Sequence, residues 1–161
     1  MSNTATYENH LDEHIPRWFA VYTKYKREKV LLKRLREKGI HVFLPLQQFT
    51  RRYERKIRLV ELPLISCYIF IKIKAREYSK VLETPGVVQF VRFSQNLISI
   101  PENEIELLQR IVNEEIEIDI EKPGYQLGSM VEIIAGNLAG VKGLLVEQKN
   151  KMNFLVELDT I

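Results

Sequence analysis

The stretch "RWFAVYTKYKREKVLLKRLREKGIHVFLPLQQF", residues 17–49, contains a complete strand, helix and strand, and its reading sets the frame for the chain. "RWFAVYTK" (17–24) is aromatic and β-branched, the composition of a strand. "YKREKVLLKRLREKG" (25–39) reads as a helix. Val30, Leu31 and Leu35 supply an apolar stripe, basic residues cover the remainder, and Gly39 stands where a helix stops on a left-handed residue. "IHVFLPLQQF" (40–49) predicts a second strand.

Working outward, "KIRLVEL" (56–62) predicts a third strand, with "TRRYER" (50–55) as a basic turn or hairpin tip. "CYIFIKIK" (67–74) is a fourth, continuous enough in apolar character to be central. "REYSKVLET" (76–84) is a short helix ended by Pro85-Gly86, because the residue before a proline avoids the α region. "VVQFVRF" (87–93) is a strand, with "NLISI" (96–100) pairing beside it. Pro101 opens a last helix, with Glu102, Glu104 and Glu106 near its positive end and Ile105, Leu108, Ile111 and Val112 as its buried stripe. The order β-α-β-β-β-α-β-α is that of an α+β domain. It is a ferredoxin-like α/β sandwich on an antiparallel sheet, with one strand added.

"NEEIEIDIEKPG" (113–124) is acidic and ends in Pro-Gly, as a linker does, although Ile116, Ile118 and Ile120 alternate with acids as on an edge strand. Beyond it "GSMVEII", "GLLVEQ" and "MNFLVEL" are three short strands, the material of a small β-barrel. "GSMVEIIAGNLAGVKG" (128–143) holds four of the seven glycines. It is not a phosphate loop: no Ser or Thr follows Lys142, and Gly140-Val-Lys-Gly143 leads into a strand rather than a helix. The glycines suit turns that need positive φ.

With 161 residues and 45% hydrophobic side chains, the chain can bury a core in one domain or in a medium and a small one. No apolar run reaches the roughly 18 residues of a membrane span. The polar, acidic start "MSNTATYENHLDEHIP" lacks the pattern of a secretory signal. The single cysteine, Cys67, excludes an internal disulfide framework and points to a reducing compartment, the cytoplasm. The net charge of +3 conceals segregation: residues 16–58 carry fourteen Lys and Arg against three acids, while residues 59–161 carry ten against fifteen. Such a distribution fits a basic face that meets phosphate or an acidic protein surface; a solvated helix and a charged hairpin are the plain alternative.

Taken together, "GSMVEIIAGNLAGVKGLLVEQ" resembles a KOW motif, and the chain before it resembles the NGN domain of NusG-family transcription factors. The matching residues are "WFAVYT" (18–23), "EK" (28–29), "GIHVFLP" (39–45), "LPLISCYIFI" (62–71), "TPGVVQFVRF" (84–93) and "IPENEI" (100–105). They follow in family order, and "VVQFVRF" with the compact linker is most similar to specialised paralogues of the RfaH and UpxY type. The resemblance implies a tail at 1–15 (flexible), an NGN domain at 16–114, a linker at 115–124 and an SH3-like KOW barrel at 125–161. The motif glycines of that barrel are Gly128, Gly136, Gly140 and Gly143, with Leu138 in place of a frequent phenylalanine. The sequence reaches "ELDTI" where relatives continue, so the reading leaves the barrel short of its last strand.

The function implied is antitermination or elongation: the NGN domain grips the clamp helices of RNA polymerase and raises processivity on particular operons, such as those for polysaccharide synthesis. Carried over, the gripping surface uses Tyr22, Ile65, Tyr68, Phe70 and Phe93, supported by Trp18 and Phe19. Trp18 and Phe70 also read as core, since aromatics on strands usually are. Arg51, Arg52, Arg55, Lys56 and Arg58, with Tyr53 as a stacking face, would meet non-template or upstream DNA without reading base sequence. Lys26, Arg27, Lys33 and Arg34 are weaker candidates. The resemblance extends to contacts of the KOW domain with Rho or with the ribosomal protein shared as NusE. Ser66 replaces a proline common in relatives, and nothing near Glu77–Lys80 matches the His-Thr-Thr run of RfaH. An RNA-binding or ribosome-associated KOW protein is the alternative reading.

No cofactor or metal is called for. "HLDEH" (10–14) matches an inverted zinc-protease signature, but it stands just before Pro16, and His41 is the one other histidine. Cys67 reads as a small buried thiol in a central strand, with no base and orienting group to make it a nucleophile. The sequence offers no enzyme.

Overall fold

The computed structural model describes residues 6–112, 128–133, 139–148 and 151–155. The chain falls into two compact units that divide after Val112. The first contains β1 (Arg17–Thr23), α1 (Glu28–Glu37), β2 (His41–Phe43), β3 (Leu46–Tyr53), β4 (Lys56–Pro63) and β5 (Tyr68–Ile73). A 3-10 turn at Ala75–Glu77 leads into α2 (Tyr78–Leu82), followed by β6 (Val87–Phe90) and α3 (Glu102–Ile111). Four strands form an antiparallel sheet in the order β2-β5-β1-β6, and β3 and β4 pair separately as a hairpin. With the hairpin set aside, the order is that of a split βαβ fold, as the sequence predicts.

Side chains sort by the two-residue period of the strands. Phe19, Val21, Ile69, Ile71, Ile73, Val42 and Phe90 share one core with Leu31 and Leu35 of α1 and Val81 of α2. Helix α1 stops at Gly39, φ +76°, where the Ile40 N–H donates to the Leu35 carbonyl at 3.0 Å and the Gly39 N–H to that of Arg36 at 2.9 Å. The opposite sheet face carries Trp18, Ala20 and Phe70, all buried. There Glu102, opening α3, accepts from Trp18 Nε1 at 3.0 Å and from Lys72 Nζ at 3.5 Å. Ile105 and Leu108 are the buried apolar residues of α3, while Ile111 and Val112 are half-buried. Glu104, which the apolar stripe did not anticipate, is buried with them.

Four sequence expectations need correction. The strand expected over 40–49 breaks at Leu44-Pro45, since proline has no N–H to give a ladder. The turn expected over 50–55 shrinks to Glu54-Arg55, because pairing continues to Tyr53↔Lys56. Residues 91–100 form no continuous strand: the Val91 and Ile100 N–H groups donate to the Ala20 and Trp18 carbonyls of β1 at 2.9 and 2.8 Å, Phe93 and Asn96 exchange backbone hydrogen bonds of 3.0 and 2.9 Å between them, and "NLISI" makes isolated bridges. Finally, residues 8–12 of the expected tail are docked. Asn9 bridges Leu97 in parallel, the His10 N–H donates to the Leu97 carbonyl at 2.9 Å, and the Leu97 N–H donates to Glu8 at 2.9 Å. His10 Nδ1 accepts from the Ser99 N–H at 3.0 Å, which leaves Nε2 to face Glu8 at 3.3 Å. Leu11 packs against the core.

The second unit contains β7 (Met130–Glu132), β8 (Lys142–Gln148) and β9 (Lys151–Leu155), an antiparallel meander in that order. At the β7–β8 turn the Gly140 N–H donates to the Ile133 carbonyl at 2.7 Å, with φ +91°, a conformation that favours glycine. Gly143 pairs with Val131 inside the ladder. Gly136, Leu138 and the linker at 115–124 lie outside the described residues. No helix among the described residues is long and apolar enough to cross a membrane.

Because Leu35 is fully buried between α1 and the sheet, Leu35→Ala is expected to cost about 2–5 kcal/mol of unfolding free energy in urea titration. Tyr25→Ala, at an exposed position, is expected to stay within about 0.5 kcal/mol.

Candidate functional site

The β1–β5 register lays out the sheet face away from α1 in rows. Trp18 stands opposite Lys72, which faces His41; Ala20 opposite Phe70, which faces Phe43; Tyr22 opposite Tyr68, with Gln89 on its other side. Glu102 covers the Trp18 end, and Phe70 is fully buried in the middle row. The Tyr22 and Tyr68 end is half-buried and reaches solvent. The two rings meet edge to face, with centroids 5.0 Å apart, and the Tyr68 hydroxyl donates to that of Tyr22 at 3.2 Å. Burial, then the hydrogen bond to Tyr22, push the Tyr68 phenol up to about 12. The result is an amphipathic pair: partly exposed apolar ring edges, with hydroxyls that hold each other.

The residues singled out from sequence therefore separate. Tyr22 and Tyr68 come together directly. Ile65 is half-buried in the turn that enters β5. Phe93, 43% exposed, stands in the tight turn beyond the end of β6. Phe70 lies one row along on the same face, against Phe43, and its side chain offers no surface. Trp18 is covered at the α3 end, and Phe19 faces the helix core on the other side of the sheet, so both serve packing. Gln89 and Phe43 share the tyrosines' face and were not singled out; they become legible only once the register is known.

The basic segment forms the far end of the β3–β4 hairpin, whose seven residue steps from Leu46 to Tyr53 extend about 23 Å at 3.3 Å per residue. Its alternation sorts the charges. Tyr53, Lys56 and Arg58 belong to one face, while Arg52, Ile57 and Leu59 belong to the other, and Arg55 stands in the turn. Arg51 occupies the register position opposite Arg58. Ile57 and Leu59 are 69% and 73% exposed, so the second face carries exposed apolar side chains beside Arg52, which the charge count concealed.

The weaker basic candidates divide as well. Arg34 donates to the Pro85 carbonyl at 2.7 Å, a structural role. Lys26 stands at φ +58° in the turn before α1, with its ammonium 5.5 Å from the exposed Tyr25 ring, and Arg27 and Lys33 are exposed. Of "HLDEH", His10 is engaged by Ser99, and the Asp12 carboxylate accepts the Ile15 and His14 N–H groups, which hold it below its ordinary value. Cys67 is not in a strand. It is the left-handed residue before β5, φ +64°, and is partly exposed.

A family model described as "Transcription termination factor nusG" matches residues 16–109. No curated protein matches the chain. Among solved structures, the chain is similar to Thermotoga maritima NusG, determined for its domain interaction, with a TM-score of 0.61 and 20% identity. That match covers 89% of this chain and 88% of the other. Two conformations of the MjSpt4:Spt5 complex also match, at 21% and 20% identity with TM-scores of 0.34 and 0.33. They cover 89% and 88% of this chain, and 88% and 84% of theirs.

The raised phenol fixes a pH dependence. Tyr68 keeps its proton more tightly folded than unfolded, so its contribution to stability is complete below its ordinary value of 10.0 and is lost as pH rises from there to about 12. Denaturant midpoints of the wild type are expected to fall over that interval, and Tyr68→Phe is expected to flatten the fall. Equal slopes in the two proteins would contradict the buried pair.

Proposed function

The chain belongs to the NusG family of transcription factors, and from that premise we propose that it is an antitermination or elongation factor whose first unit binds RNA polymerase at the clamp helices. The observation that carries this reading is the Tyr22–Tyr68 pair, an apolar, half-buried aromatic surface at the uncovered end of a sheet face otherwise closed by α3. Such a surface suits a groove-and-helix contact, where a few desolvated anchors supply most of the affinity. Half-buried Ile65 and partly exposed Phe93 would add to it in this reading, with Phe70 buried in the next row of the same face. The chain acts in this reading by binding, without catalysis.

The hairpin then reaches toward nucleic acid. Tyr53, Lys56 and Arg58 on one face, with Arg55 at the tip and Arg51 and Arg52 in β3, would follow the backbone of the non-template strand or upstream duplex. In the second unit, β7, β8 and β9 would belong to a KOW barrel of SH3-like topology that recruits Rho or the ribosomal protein shared as NusE. Action on particular operons, polysaccharide clusters among them, follows from the likeness of "VVQFVRF" to the specialised paralogues.

Binding of the full chain to bacterial core RNA polymerase, measured across a salt series, tests the reading. Affinity that survives moderate salt is expected, with Tyr68→Ala weakening it by at least about 2 kcal/mol, as for a central anchor. Salt-sensitive affinity for free RNA with no polymerase binding would favour a ribosome-associated protein instead. On elongation complexes with an exposed non-template strand, each of Arg55→Ala, Lys56→Ala and Arg58→Ala is expected to lower the slope of log affinity against log salt by about 0.7.

A further inference from the structure

Glu28 is a buried carboxylate, 5% exposed, that the binding surface does not itself use. It opens α1, and its Oε1 accepts the backbone N–H of Cys67 at 2.9 Å, 39 residues away in sequence. The Cys67 carbonyl in turn accepts the Thr23 N–H at 2.9 Å, one step beyond the Tyr22↔Tyr68 pair. Cys67 is thus held through both of its flanking peptide groups, in a left-handed conformation, φ +64°, that disfavours any residue with a Cβ. Neither Ser66 nor Cys67 imposes that conformation through its own chemistry, as glycine would permit it. The hydrogen bond donated by the Cys67 N–H to Glu28 is what the turn has in its place.

We propose that Glu28 is a positioning residue for the tyrosine surface: its carboxylate clamps the Cys67 turn and thereby sets where Ile65 leaves, and where Tyr68 enters, the binding face. The inference rests on the polymerase reading for its functional meaning. The clamp works through geometry. Release of the Cys67 N–H lets the residue relax toward ordinary backbone angles, which swings Ile65 and Ser66 and removes the fixed start of β5. Tyr68 is the first residue after the turn and has no intervening position to absorb the change.

The test uses the full chain with Glu28→Gln, which keeps an acceptor oxygen, and Glu28→Met, which fills the same space without one. Cys67 is the chain's one thiol, so its alkylation by iodoacetamide reports the turn directly. Loss of one charge-assisted hydrogen bond predicts, for Glu28→Met, alkylation about tenfold faster and core RNA polymerase binding about tenfold weaker, with Glu28→Gln within about threefold of wild type in both. Wild-type alkylation and binding in Glu28→Met would overturn the proposal. So would a Glu28→Gln variant as impaired as Glu28→Met, since that result would assign Glu28 to the charge at the helix start. If Glu28→Met does not fold, hydrogen exchange of the wild-type Cys67 amide decides. Protection comparable to the β5 amides is expected, and exchange as fast as in an open loop would overturn the clamp. A wild-type chain that ignores polymerase would sink the polymerase reading alone, while alkylation and exchange would still judge the turn.

Discussion

The antiparallel register of β1 on β5, six consecutive pairs from Arg17↔Ile73 to Tyr22↔Tyr68, is the constraint on which the first unit depends. Because the side-chain period is two, a slip of one residue would exchange the two faces of the sheet. Phe19 and Val21 would leave the helix core, and the tyrosines would enter it. Two sets of contacts pin the register. Under the helices, Phe19, Val21, Ile69 and Ile71 pack against Leu31 and Leu35. On the far face, Trp18 donates to Glu102 while Phe70 packs near Phe43, their ring centroids 6.3 Å apart. Neither set tolerates the alternative register, because each would present polar or oversized side chains to the other's space.

The same register gives the far face its gradient. At the Trp18 end the sheet is closed by α3 and by the Lys72–Glu102 ion pair, and a 3.5 Å pair this exposed adds direction more than stability. At the Tyr22 end no helix among the described residues covers the sheet, so apolar surface is left half-open and the hydroxyls satisfy each other. A sheet that must bury both faces does so unevenly here, and the tyrosine end stays half-open while the core beneath the helices is complete. The docked segment at residues 8–12 adds to the closed end, pairing with Leu97 beside the chain that returns to Trp18 through Ile100.

Much of this architecture was legible in the sequence. The strand at 17–23, the helix ended by Gly39 and the central strand at 68–73 each carry a strong local signal: β-branched and aromatic runs, a stripe at helical spacing, a left-handed stop. What was not legible depended on partners distant in sequence. Residues 8–12 are polar and read as a tail, since nothing local reveals that Ser99 offers an N–H to His10. "NLISI" alternates as a strand does, but after the tight turn at Phe93–Asn96 it bridges Asn9 through Leu97 and meets β1 only at Ile100↔Trp18. Cys67 looked like part of an apolar strand because nothing local reveals its left-handed angle or that its N–H donates to Glu28, 39 residues earlier. At the candidate site, the tyrosines were identifiable by type and position, whereas Phe19 could be assigned to the opposite face only after its register partner was known.

The hairpin raises a separate question of stability. A two-stranded ribbon is marginal by itself, and among the described residues β3 and β4 pair with no third strand. Its base is secured, with Leu46 packed on the core and the Leu64 N–H donating to Pro45 at 2.8 Å. Its tip has the opposite character. Two arginines share one register position, Arg51 and Arg58, and like charges directly opposed destabilise a pair. Ile57 and Leu59 meanwhile gain nothing from their exposed positions. Both penalties are relieved together if one face lies against a polyanion and the other against an apolar surface.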